Sequence, residues 1–235
     1  MQKSKLIPRL VIMMRRTILA FLVFVVLING INVKAHNFQW SKENITNSLQ
    51  QRFNKSKMYN LTVIKEFFWD GGSNDKGYGI TSDGTYIYAV GYSANASTNL
   101  QDMVIIKADL KENIIWYRRW NGGDDSVGLG VCVYEDYIFV TGHVGYYAKD
   151  AVVLKLDASG NIIWYVKWGY SGSEDHFRRV YIYEDHLYIV GFTDYGGDED
   201  IVVLKMDLDG NIVWTKTWGG SGDDRGYGIY VNNDV

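Results

Sequence analysis

Val202-Val-Leu-Lys-Met-Asp207 followed by Asn211-Ile-Val-Trp214 decides the fold, because the chain writes this element three times. Met103-Val-Ile-Ile-Lys-Ala-Asp109 leads into Asn113-Ile-Ile-Trp116, and Val152-Val-Leu-Lys-Leu-Asp157 leads into Asn161-Ile-Ile-Trp164. Trp69, Trp120, Trp168 and Trp218 mark the same period of about 50 residues, the spacing of stacked or circular repeat folds. Each unit holds four strand-like runs. In the third unit they are Val180 to Tyr183, His186 to Val190, Ile201 to Met206 and Ile212 to Trp218, rich in Val, Ile and Tyr. Turn signals separate them: Ser82-Asp-Gly-Thr85, Glu184-Asp185, Ala158-Ser-Gly-Asn161 and Leu208-Asp-Gly-Asn211. Gly160 and Gly210 suit the positive φ that such hairpins require. The third run is continuously apolar, which predicts a strand covered on both faces, as when one sheet is sandwiched between two others.

These runs predict an all-β chain, a β-propeller arc of four-stranded antiparallel blades. Three blades are complete, from Gly71 to Trp218, and Gly226 to Val231 is expected to be the first strand of a fourth. Closed propellers hold about 4–8 blades, so the reading is an incomplete propeller, the front part of a longer protein. Closure of two arcs in a homodimer is the alternative.

Trp214-Thr-Lys-Thr-Trp-Gly-Gly-Ser-Gly-Asp-Asp-Arg-Gly-Tyr-Gly-Ile229 resembles the start of the SBBP β-propeller repeat of exported bacterial and archaeal proteins. Tyr188-Ile-Val-Gly-Phe-Thr193 and Ile201 to Asn211 are similar to its later segments. The resemblance covers Phe67 to Val235 and implies fold and export. It transfers no common activity and no catalytic residue. Leu156-Asp-Ala-Ser-Gly-Asn-Ile-Ile-Trp164 is also similar to the Asp…Gly…Trp motif of pyrroloquinoline-quinone propellers, in which the Trp docks between blades. Its Asp-to-Gly spacing is one residue shorter here, so the resemblance implies the Trp role and not the cofactor.

The N-terminal segment reads differently. Lys3, Lys5, Arg9, Arg15 and Arg16 precede an unbroken apolar run, Ile18 to Ile28, which is too short to span a bilayer of about 30 Å at about 1.5 Å per residue. With Val33-Lys34-Ala35 after it, residues 1–35 are expected to be a secretory signal peptide, an uncleaved anchor being the alternative. Residues 36–60 are expected to be a polar linker, and residues 61–235 the repeat domain. Sequons at Asn44, Asn54, Asn60 and Asn95 agree with export. Removal of the leader takes away its five cations and Lys34, moving the net charge from −3 to −9. Nucleic acid is therefore not an expected partner, since no concentrated basic surface remains to release counterions. The composition, 47% hydrophobic and 15% aromatic, supplies a core and excludes a disordered chain. A single Cys, Cys132 in Val131-Cys-Val133, excludes an intrachain disulfide and is expected to be an inert packed thiol.

Chemistry is sought where the repeat breaks its own rule. His176, Arg178 and Arg179 stand where the next unit has Arg225, Tyr227 and Gly228. First strands of the propellers that this chain resembles line the central channel. That places these three as candidate ligand-binding residues, suited to carboxylate or phosphate. Pairing with Glu174 or Asp175 is the competing reading. Tyr146, Tyr147, Tyr170 and Tyr195 do not recur, fall in predicted loops, and are candidates for stacking on a glycan or anchoring a protein partner. Paired acids recur at Asn74-Asp75, Asp124-Asp125, Glu174-Asp175 and Asp223-Asp224. Calcium would suit such oxygen donors, but turn support is the preferred assignment and no cofactor is expected. No nucleophile elbow, zinc-protease or P-loop motif is present, and His36, His143, His176 and His186 share no metal spacing. The expected function is a secreted or cell-surface binding or scaffold module. An exported propeller enzyme, its channel-face site completed by further blades, is the alternative.

Overall fold

The computed structural model describes residues 9–15, 21–27, 65–67 and 69–232 except 73, 96, 97, 99 and 112. The linker at 36–60, the cleavage signal at Val33–Ala35 and the sequons at Asn44, Asn54 and Asn60 lie outside the described residues. Strands β1 (Arg9–Arg15), β2 (Phe21–Leu27) and β3 (Lys65–Phe67) pair antiparallel in one small sheet. The other described strands form three four-stranded antiparallel meanders. The first is β4 (Asp75–Ser82), β5 (Tyr86–Ala94), β6 (Gln101–Asp109) and β7 (Ile114–Trp120). The second is β8 (Ser126–Tyr134), β9 (Tyr137–Val144), β10 (Asp150–Leu156) and β11 (Ile162–Trp168). The third is β12 (Asp175–Tyr183), β13 (His186–Thr193), β14 (Asp200–Asp207) and β15 (Ile212–Trp218). No helix occurs among the described residues.

Short hairpins close the meanders because their turn residues accept left-handed backbone. Glu135, Glu184 and Asp185 take φ of 52°, 46° and 57°, so two-residue turns join Tyr134 to Tyr137 and Tyr183 to His186. The third strands carry the core. Side chains of β10 alternate between neighbours: Val152, Leu154 and Leu156 pack with Met103 and Ile105 of the first sheet, while Ala151 and Val153 pack with Val202, Leu204 and Met206 of the third. All of these are buried, as a run covered on both faces must be. On β14 only alternate residues are buried, because no sheet covers its far face among the described residues.

A recurrent turn fixes each sheet on the next. Asp157 Oδ1 accepts from the Asn161 backbone N–H and Oδ2 from the Asn161 side chain, and Asp109–Asn113 and Asp207–Asn211 repeat the arrangement. These bonds hold all three carboxyls below the usual carboxylate range. Gly160, at φ 81°, lies flat beneath the Trp116 indole of the preceding sheet, so close that a Cβ there would sit 3.0 Å from the ring. Trp116 Nε1 and Lys107 Nζ both donate to the Ala158 carbonyl, at 3.1 and 3.2 Å. One repeat later Trp164 covers Gly210, and Lys155 Nζ donates to the Leu208 carbonyl at 2.9 Å. Trp116 and Trp164 are half-buried, since the docking site lies at the outer strands, and Trp214 is 36% exposed, with no turn beneath it among the described residues.

The last segment departs from expectation. Residues 219–232 form no strand. A strand takes its ladder from a neighbour; Asp224 N–H to the Glu199 carbonyl and Gly226 N–H to the Gly191 carbonyl tie this stretch to the third sheet without making a ladder.

Gly160→Ala should destabilise the protein clearly more than Gly172→Ala in urea unfolding. Both glycines have nearly the same positive φ, but nothing lies within 4 Å of a Cβ at Gly172. Gly172→Ala therefore reports backbone strain alone, and the difference, about 1–3 kcal/mol, reports the docked indole. Equal losses in the two variants would count against docking.

Candidate functional site

The first strands β4, β8 and β12 run side by side because glycines let their backbones meet. A Cβ at Gly79 would lie 2.9 Å from the Leu129 carbonyl oxygen, and one at Gly130 would lie 3.0 Å from the Arg178 carbonyl oxygen. Each first strand also carries a β-bulge at the same place. Gly77 pairs with Gly91 and Gly79 with Val90, leaving Tyr78 as the extra residue. Leu129 and Arg178 are the extra residues of β8 and β12. The bulge presses a carbonyl onto the facing strand, where a Cβ at Gly91, Gly142 or Gly191 would fall within 1.9 Å of it. Glycine opposite the bulge is thus a condition of the bulge, and the bulge redirects the extra side chain.

Those redirected side chains line a cavity of about 290 Å³ at this convergence. Tyr78, Leu129 and Arg178 come from the three bulges, and Lys76, Val127 and His176 from the positions two residues before them. Tyr92 and His143, cross-strand partners of Lys76 and Val127, complete the wall with Gln101. The His143 and His176 rings lie 4.2 Å apart, and His176 stacks on Phe192 at 4.5 Å. Both histidines are only 9% exposed, and neither His143 Nδ1 nor His176 Nε2 has a hydrogen-bond partner. Glu174 Oε2 stands 3.7 Å from His176 Nε2. Burial first, then the positive charges of Lys149, Arg178 and Arg225, pushes His176 down to about 3. Burial, His176 and Lys149 push His143 down to about 2. Both imidazoles are therefore neutral at ordinary pH.

Two cations face the same space. The Arg178 guanidinium carbon lies 5.0 Å from the Phe192 ring centre and 4.7 Å from that of Tyr227, with its Nε buried and unpartnered. Among the described residues no carboxylate lies within ion-pair distance of Arg178 or Lys76. The neighbouring cation Arg225 is paired with Glu199, and Lys149 with Glu174 at 2.8 Å. The cavity therefore offers two uncompensated positive groups, neutral imidazoles, phenol hydroxyls and an amide. Such a set can hold an oxyanion.

Of the residues picked out by the broken repeat, His176 and Arg178 meet in this cavity. Arg179 does not line it. Its guanidinium donates to the backbone carbonyls of Leu129 and Arg178, both at 2.7 Å, and so clips β12 to β8. Neither arginine pairs with Glu174 or Asp175. The exposed tyrosines lie elsewhere, in two pairs: Tyr170 stacks on Tyr195 at 4.1 Å, and Tyr146 meets Tyr147 edge-on at 4.7 Å. Lys76, Tyr78, Tyr92, Gln101 and His143 were missed from sequence. His143 had a signal, since it replaces the aromatic residues Tyr92 and Phe192 of the other sheets.

The recurrent acids hold loops. Oδ2 of Asp75, Asp175 and Asp224 accepts the backbone N–H of Gly71, Tyr170 and Gly220. In the second sheet Ser126 occupies that place, so the acidic pair there is one residue out of register. No group of three or more His, Cys, Asp or Glu is placed to hold a metal ion among the described residues. Burial pushes the Cys132 thiol up, away from the reactive thiolate. No helix of the described residues is long and apolar enough to cross a membrane. Comparison with known proteins finds no family model and no curated protein that matches the chain.

The buried neutral histidines set a pH dependence. Their folded pKa values lie below the unfolded value of about 6.5, so below that pH the unfolded chain binds the extra protons and stability is lost as pH falls. Between pH 7 and pH 5 the loss should be about 2 kcal/mol per histidine, and His143→Gln with His176→Gln should flatten the profile. Imidazole resonances of His143 and His176 that titrate near pH 6.5 would contradict the buried neutral pair.

Proposed function

We propose that the chain is a β-propeller module of exported proteins, built from SBBP-type repeats, whose role is binding and not catalysis. The observation that carries this reading is the set of three sheets built on one register, docked face to face, with their first strands side by side around a polar cavity. Blades about a propeller axis would be arranged in this way, which supports the reading. The basic leader, the apolar run Ile18 to Ile28 and the sequons support export. The exposed rings support contact with a glycan or protein partner at the cell surface. Tyr147 is 87% exposed, and Tyr195 presents a face on the side away from Tyr170. No residue among those lining the cavity forms a nucleophile–base pair, which supports binding over turnover.

Expression of the gene product with its own leader in a secreting host tests export. The expected result is protein in the medium beginning at His36. Protein retained in the membrane with residues 1–35 intact overturns the exported reading. On arrays of glycans and surface proteins, Tyr170→Ala with Tyr195→Ala should abolish the selective signal and leave the melting temperature unchanged.

A further inference from the structure

The cavity at the convergence of β4, β8 and β12 is built for a ligand. His143 and His176 line it and are each nine-tenths buried, and neither His143 Nδ1 nor His176 Nε2 has a hydrogen-bond partner, Glu174 Oε2 standing 3.7 Å from the latter. Buried polar groups are ordinarily bonded, so these atoms mark a place where a partner belongs. The Arg178 Nε is a third such atom. Glu174, near His176, is paired with Lys149, and the cations that line the cavity are unpaired. Arg178 and Lys76 line the cavity without a carboxylate in reach, whereas the cations just outside it, Arg225 and Lys149, are paired. Val127 and Leu129 supply the apolar part of the wall.

The repeat itself shows that these groups are not needed for folding. Arg178 occupies a bulge position that Tyr78 and Leu129 fill in the other sheets, and His176 a position filled by Lys76 and Val127. A hydrophobic residue serves the fold at both places.

We propose that this cavity binds a small organic oxyanion, a phosphate monoester or a carboxylate, with its anionic group on Arg178 and Lys76. Its uncharged body lies against Val127, Leu129 and the imidazole rings of His143 and His176. The planar guanidinium, 5.0 Å from the Phe192 ring centre and 4.7 Å from that of Tyr227, carries the two parallel N–H donors that suit such a group. The inference rests on the reading of the chain as a binding module and names the ligand chemistry of that module.

The test is an NMR titration of the full chain. The signals followed are the arginine Nε–H groups, with Arg178 assigned from its variant, and the histidine rings. Phenyl phosphate, inorganic phosphate and benzoate are the anionic probes, and phenol and benzylamine the neutral and cationic controls. Phenyl phosphate or benzoate should shift the Arg178, His143 and His176 signals saturably, and the controls should not. The difference between the two anions identifies phosphate or carboxylate as the preferred head group. Arg178→Leu and Lys76→Val install the residues of the second sheet, and each should weaken binding about tenfold or more with the melting temperature retained. If Arg178→Leu fails to fold, Lys76→Val decides alone. The proposal is overturned if no anion saturates, if benzylamine binds as well as phenyl phosphate, or if folded variants bind as the parent does. Those outcomes leave export and the tyrosine surface standing, and failure of the secretion test leaves the cavity standing.

Discussion

An indole laid on a glycine turn makes one body of the described sheets. Apolar burial between β6, β10 and β14 supplies most of the cohesion, but it is non-directional and leaves the sheets free to rotate against each other. The docking turn removes that freedom. Asp157 and Asn161 close the loop, Gly160 turns a bare face outward, and the Ala158 carbonyl receives both an indole N–H and an ammonium from the preceding sheet. The sequence respects this pairing even where it fails. At the place of the docking Trp, four residues before Trp69, stands Lys65, and in the turn of the first sheet Glu112 replaces the glycine. Where no indole arrives, no glycine is needed.

With the sheets held in one rotation, their first strands meet along glycines and the bulges face a common space. Two kinds of position then separate. Gly91, Gly142 and Gly191 are constant because a carbonyl presses on each of them. The bulged residue and its neighbours are free of that constraint, so Tyr78, Leu129 and Arg178 differ completely while the backbone around them does not. Chemistry accumulates at positions that the scaffold leaves undetermined. The cluster of Arg178, His176 and His143 is the most polar result of that freedom.

Much of the fold was legible because each strand and turn is local and written three times. The continuous apolar run of β10 correctly signalled two covered faces, and Gly160 and Gly210 take the positive φ that their turns required. The cavity was only half legible. His176 and Arg178 were visible as departures from the repeat, but a one-residue bulge leaves no trace in hydrophobic alternation. Lys76, Tyr78, Tyr92, Gln101 and His143 reach the cavity from the first two sheets, and only packing brings them to His176 and Arg178 of the third. Arg179 departs from the repeat for a different reason. Gly79 and Gly130 each meet the next first strand, and no such strand lies beyond β12 among the described residues, so a long side chain fits there and turns back to Leu129. Residues 226–231 likewise have no second strand to pair with among the described residues, and Trp214 there has no turn to cover.

A double-mutant cycle between Trp116→Ala and Gly160→Ala, read by urea unfolding at constant slope, tests this account most directly. If the indole rests on the glycine, the losses overlap: the double variant loses less than the sum of the singles, with a coupling of about 1 kcal/mol or more. Losses that add within about 0.3 kcal/mol would mean that the indole and the turn act independently, and would contradict docking as the constraint on which the cavity depends.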